Sequence, residues 1–226
     1  MGDWIMGEPA WGYALAALAG ALCGLLAVMA AQRLVEGKSY TAAGYFNAVA
    51  VSMVGFAVLL FVLGWSVQWV AFAALFAVLE TAALTDLSTR TIPNVLVGAV
   101  VVVWVAYQIA MAAAGFPFVL PLVAKGLIGA LVTGGFVLVA SLAFEKITGK
   151  QSLGGGDIKL LFAVGLFLGW ADGLFCVVIA SIIGLTYALL RRDKKQESAV
   201  QGTIPFGPAI GLATMCLLAL YGPLLF

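Results

Sequence analysis

The chain has 226 residues, 64% of them hydrophobic and 9% charged, with a mean hydropathy of +1.16; soluble domains sit nearer half apolar and a quarter charged, so a soluble globular fold is excluded. A formal net charge of +1, with no basic block, argues against nucleic-acid binding. The absence of histidine removes imidazole bases, Ser-His and Cys-His triads and most zinc sites.

About 20 apolar residues cross a bilayer as a helix. The chain therefore reads as an all-α polytopic membrane protein, a single domain over residues 1–226 with about eight transmembrane helices. They are predicted at 10–31, 45–64, 67–85, 92–114, 122–144, 157–170, 172–190 and 206–225. Ahead of the first span, Asp3 and Glu8 stand where a cleaved signal peptide carries basic residues, and the apolar run is long enough to span. The boundary between the sixth and seventh spans rests on Gly169–Gly173 alone. Cys23, Cys176 and Cys216 lie far apart inside apolar segments, with no CxxC pair, and read as small buried hydrophobes.

Cytoplasmic loops carry an excess of Lys and Arg. With the N-terminus outside, Arg33, Lys38, Arg90, Lys146, Lys150, Lys159, Arg191, Arg192, Lys194 and Lys195 all fall at the inner side, and Lys125 alone falls outside. The polar stretch Arg191–Thr203 reads as a solvated cytoplasmic loop.

That orientation puts two acids at one membrane face. Asp86 lies in "TDLSTRTIPN", where the third span gives way to the fourth, and Asp157 lies in "GGGDIK", where the sixth begins. Two carboxylates within hydrogen-bond reach resist double ionisation, so one retains a proton while the other stays charged; together they activate a water and protonate a leaving group without histidine or metal. Pro93 suits the first turn of a membrane helix, and Asn94 supplies an amide near the same surface. Gly154, Gly155 and Gly156 permit sharp turning or close backbone approach beside Asp157, and Lys159 either balances negative charge or snorkels to the interface. In "GTIPFGPAIGL", residues 202–212, Pro205, Gly207 and Pro208 mark strained backbone lining a cavity, or else a plain helix start. Glu80, inside the third span, either faces the site or packs against a polar neighbour or reaches inner water; the bland alternatives for the aspartates are Asp157 as a helix cap and Asp86 as a loop acid paired with Arg90.

"DLSTRTIPN", "GGGDIKLLFAVGLFLGW" and "IPFGPAIGL", in that order, resemble the type IV prepilin peptidases, the leader peptidases of type IV pilus and type II secretion systems. These are GxGD aspartyl proteases, a class that also holds the archaeal preflagellin peptidases. The resemblance runs from about residue 45 to the end. It implies catalytic Asp86 and Asp157, a glycine motif at Gly154 and Gly156, and cleavage of prepilin or pseudopilin precursors after a glycine. It further implies a multi-pass protein of the bacterial inner membrane with its active site facing the cytoplasm, partnered by the lipid bilayer and by precursors with short basic leaders. Many members also carry a cytoplasmic domain with two zinc-binding CxxC pairs and N-methylate the new pilin terminus. Here the corresponding loop is "QRLVEGKSYTAAG" without a cysteine, so the expectation is a reduced peptidase with no cofactor and no metal.

Two rival readings are distinguishable from this one. A proton-coupled transporter or channel would use Asp86, Asp157 and Glu80 as relay acids, with acids at the midplane. A presenilin-like protease would pair the glycine motif with Tyr-Asp upstream, where this chain has Thr85–Asp86.

Overall fold

A computed structural model of the chain describes residues 8–35, 40–149, 153–191 and 205–221. Within these residues a lipid-soluble backbone satisfies its own polar groups in the way lipid demands, by forming helices. The elements are α1 (Ala10–Leu34), α2 (Ala42–Leu63), α3 (Val67–Thr89), α4 (Asn94–Ala113), α5 (Val119–Thr148), α6 (Gly155–Arg191) and α7 (Gly207–Tyr221). Six of them are long and apolar enough to cross a membrane, and α7 is a shorter apolar helix. This is an all-α, multi-pass membrane protein. Lys38, Lys150, Arg192, Lys194, Lys195 and residues 202–204 of the third motif lie outside the described residues.

Helix starts follow local chemistry. Ser66 Oγ accepts from the Trp69 N–H at 3.1 Å, Thr41 Oγ accepts from the Gly44 N–H at 3.3 Å, and prolines stand immediately before α1 and α4. Gly64 and Gly149 close α2 and α5 with positive φ.

Two of the expected spans are the arms of α6. Gly169 is non-helical, with φ 78° and ψ −174°, a region essentially restricted to glycine. Against α5, Gly126 meets Leu166 and Gly134 meets Phe162, an antiparallel register. Beyond the break Gly129 meets Gly169 and Thr133 meets Gly173, a parallel register, so the chain reverses at Gly169. Among the described residues, the eight expected spans thus meet six helices of crossing length: two are arms of one element, and the last is described over 15 residues.

Small residues bring neighbouring backbones together, as membrane helices require. An added Cβ at Gly24 of α1 would lie 2.9 Å from Val49 Cα of α2. The core is built on α3 and α6: Phe72, Leu75, Leu79, Leu160, Leu161 and Leu168 are buried, with Ile210 and Leu218 of α7 packed among them. Around that core a rim of exposed apolar side chains, such as Leu22, Phe61, Val102 and Leu131, supplies the lipid-facing surface. Helix α3 touches α1, α2, α4 and α7, while α6 touches α4, α5 and α7. The two aspartates are thereby carried on the two central elements.

Candidate active site

Asp86 sits in the last turn of α3, inside the helix and not in the loop where the predicted span boundary placed it. The helix runs four residues beyond the predicted end because Thr85 and Thr89 hydroxyls bond back to Ala82 and Thr85 carbonyls at 2.9 Å each, keeping polar groups satisfied without leaving the helix. Asp86 is 4% exposed. Its Oδ2 accepts the Gly207 N–H at 2.8 Å, so the start of α7 orients the carboxylate. A Cβ at position 207 would come within 3.0 Å of Asp86 Cβ, which makes glycine the residue that fits.

Asp157 is in the first turn of α6, where a carboxylate suits the positive end of the helix dipole. Its side chain curls back so that Oδ2 lies 2.9 Å from where a Cβ on Gly154 would stand, and it meets the Gly154 N–H. Its Oδ1 is buried without a hydrogen-bond partner. Asp86 is close enough for the two charges to act on one another.

Both acids line one cavity of about 440 Å³, together with Arg90, Thr91, Asn94, Lys159 and the three glycines. That volume suits a peptide segment with water. At its rim Lys159 Nζ donates to Asn94 Oδ1 at 3.0 Å, tying α6 to α4. Gly156 packs against Ile92, whose Cβ would lie 3.1 Å from an added methyl. Pro93 stands just before α4 and not in its first turn; with φ −60° and ψ 138° it sets the entry angle and leaves the wall of the cavity to Ile92 and Asn94. Pro205 is buried ahead of α7.

Pro208 and Glu80 belong elsewhere. They line a second, apolar cavity of about 420 Å³ among α2, α3 and α7. Glu80 accepts a hydrogen bond from Ser52 Oγ of α2 and is 9% exposed, so it is the polar-neighbour alternative that this residue adopts.

Two contributors lie outside the expected site residues. Tyr40 hydroxyl donates to Leu84 O at 2.8 Å and lies 2.7 Å from Ser88 Oγ, bracing the turn of α3 that carries Asp86. Arg90 ends α3 in the left-handed region, and its charge acts on Asp86; the sequence offered it as an ion-pair partner of Asp86 and not as a part of the site.

A profile of the type IV leader peptidase family matches residues 71–189. The prepilin leader peptidase/N-methyltransferase of Aeromonas salmonicida (strain A449) is 36% identical over 91 residues, 38% of this chain and 29% of that protein. The protein of the same name from Pectobacterium carotovorum subsp. carotovorum is 39% identical over 70 residues, 31% of this chain and 25% of its own length. That from Escherichia coli (strain K12) is 38% identical over 66 residues, 29% of this chain and 28% of its length. The aligned segment thus spans less than a third of each of these relatives. No solved structure matches the chain.

Proposed function

This chain belongs to the type IV leader peptidase family, and from that premise we propose that it is a membrane aspartyl endopeptidase acting on type IV prepilins or pseudopilins. It removes their basic leader after a glycine, at the cytoplasmic face of a bacterial inner membrane. The observation that carries this reading is the pair Asp86 and Asp157, which are 71 positions apart (157 − 86) and line one cavity from the last turn of α3 and the first turn of α6.

The chemistry follows from that pairing. One carboxylate, ionised, takes a proton from a water; the water attacks the carbonyl carbon of the leader glycine. The protonated partner donates a hydrogen bond to the carbonyl oxygen and then helps the amine to leave. The pair titrates as a unit, so neither role is tied to one residue. The Gly207 N–H holds the Asp86 carboxylate and the Gly154 turn holds that of Asp157, and fixing reacting groups in place lowers the cost of such a step.

Support for the cytoplasmic face comes from charge. Arg90 and Lys159 stand at the ends of α3 and α6 that carry the acids, Arg33 and Lys146 lie in the last turns of α1 and α5, which alternate crossing brings to the same side, and Lys125 packs against Gly169 at the other end. The reading is of a peptidase alone: "QRLVEGKSYTAAG" offers no thiolate ligand for the zinc-binding domain of methylating members.

The test is incubation of the purified protein with a model prepilin, followed by mass spectrometry of the new N-terminus. The expected product begins directly after the leader glycine and carries no added methyl group. Asp86→Asn and Asp157→Asn each abolish cleavage while the variants still insert and melt as the parent does. Substantial activity in either variant overturns the dyad.

A further inference from the structure

Among the described residues Arg90 alone combines a side chain with positive φ, at φ 57° and ψ 29°. An L-residue is strained there, and glycine ends a helix in this way without that strain. The turn is held on both sides, since Arg90 N–H donates to Asp86 O at 2.9 Å and the Thr89 and Thr91 hydroxyls meet at 2.8 Å. A strained side chain retained beside a reaction site points to a task for that side chain.

The surroundings of the guanidinium identify the task. It lines the cavity shared by Asp86 and Asp157, and its Nη1 is buried without a hydrogen-bond partner. A buried charged donor is costly until it meets an acceptor. Arginine offers donors only, so its partner must bring an oxygen. Basic leader side chains cannot serve, because they too are donors; the acceptors that every peptide brings into this cavity, whatever its sequence, are its backbone carbonyls.

We propose that Arg90 is a substrate-binding residue whose guanidinium donates to a backbone carbonyl oxygen of the peptide beside the bond that is cut. This rests on the peptidase reading above. A sequence-independent contact of this kind fixes the register of the chain against the acids while leaving the leader's composition free. The fork geometry, not charge alone, is what it uses.

Two variants test it on a model prepilin in detergent, with wild type alongside. Arg90→Gly removes the guanidinium and suits the left-handed backbone, so its melting temperature stays at or above that of wild type. Its KM rises and its kcat/KM falls roughly tenfold to a hundredfold, the range expected for one lost charged hydrogen bond. Arg90→Lys keeps the charge and the strained backbone without the fork, and recovers only part of kcat/KM. The proposal is overturned by wild-type kcat/KM in Arg90→Gly or by full activity in Arg90→Lys. A loss in Arg90→Gly that is matched by a lower melting temperature overturns it as well, because the role is then structural. A wild-type protein that cleaves no prepilin overturns the peptidase reading itself, a result distinct from every comparison between variants.

Discussion

An alanine methyl at Gly154 would stand 2.9 Å from Asp157 Oδ2, and one at Gly156 would stand 3.1 Å from Ile92 Cβ and 3.2 Å from the Ile92 carbonyl oxygen. At Gly155 nothing approaches within 4 Å. The three glycines are therefore unequal. Gly154→Ala displaces a carboxylate at the free end of a side chain, so it should lower cleavage with little change in melting temperature. Gly156→Ala presses on backbone, where the α4 entry must shift; a displacement near 1 Å at a reacting group is enough for a roughly hundredfold loss, and stability falls with it. Gly155→Ala should keep activity to within about twofold, since helix propensity favours the change and no atom obstructs it. Cleavage rates and melting temperatures for the three variants check this order, and equal effects at all three positions would refute it.

Along α3, Glu80 and Asp86 are six residues apart, about 9 Å of rise and a rotation of roughly 240°. One helix thus presents two acids to two different cavities, Asp86 toward α6 and Glu80 toward α2. This geometry separates the peptidase from a relay of three acids. Glu80→Gln retains a hydrogen-bond acceptor for Ser52 and should cleave at close to the wild-type rate. Ser52→Ala strips the buried Glu80 of its donor and should cost about 1–3 kcal/mol of stability, read as a lower midpoint of denaturation in detergent, with activity preserved in the folded fraction. Loss of cleavage in Glu80→Gln at unchanged stability would bring Glu80 into the chemistry.

Over the whole molecule, alternate helix ends share a face, so α5 begins at the end opposite the acids and finishes beside them. A variant lacking Cys23, Cys176 and Cys216 allows each end to be addressed separately. With the acids facing the cytoplasm, Phe118→Cys should react with a membrane-impermeant maleimide on intact cells, because Phe118 is 64% exposed at the far end. Thr148→Cys, at the close of α5, should react only after lysis. The reverse labelling would invert the proposed orientation. The same arrangement explains how a chain with so few charges assembles a polar site: the acids, Arg90 and Lys159 occupy helix termini, where membrane-spanning backbone ends and water is near.

The membrane class, the positions of most helices and the shared face of the two aspartates are determined by the sequence itself. The reason is local: lipid offers the backbone no partner, so each apolar run must become a helix, and two crossings between Asp86 and Asp157 return the chain to the side it left. Glycine at 169 likewise announced a break, since few other residues adopt its conformation. Which faces meet was decided only in the tertiary structure. The Gly207 N–H reaches Asp86 across 121 positions, Lys159 reaches Asn94 across 65, and Tyr40 braces α3 across 44. Those contacts depend on how small residues let helices approach and rotate, a property of pairs of helices that no single segment contains. The division of labour among Gly154, Gly155 and Gly156, the turning of Glu80 away from the acids and the strained Arg90 with its unpaired Nη1 all arise at that level.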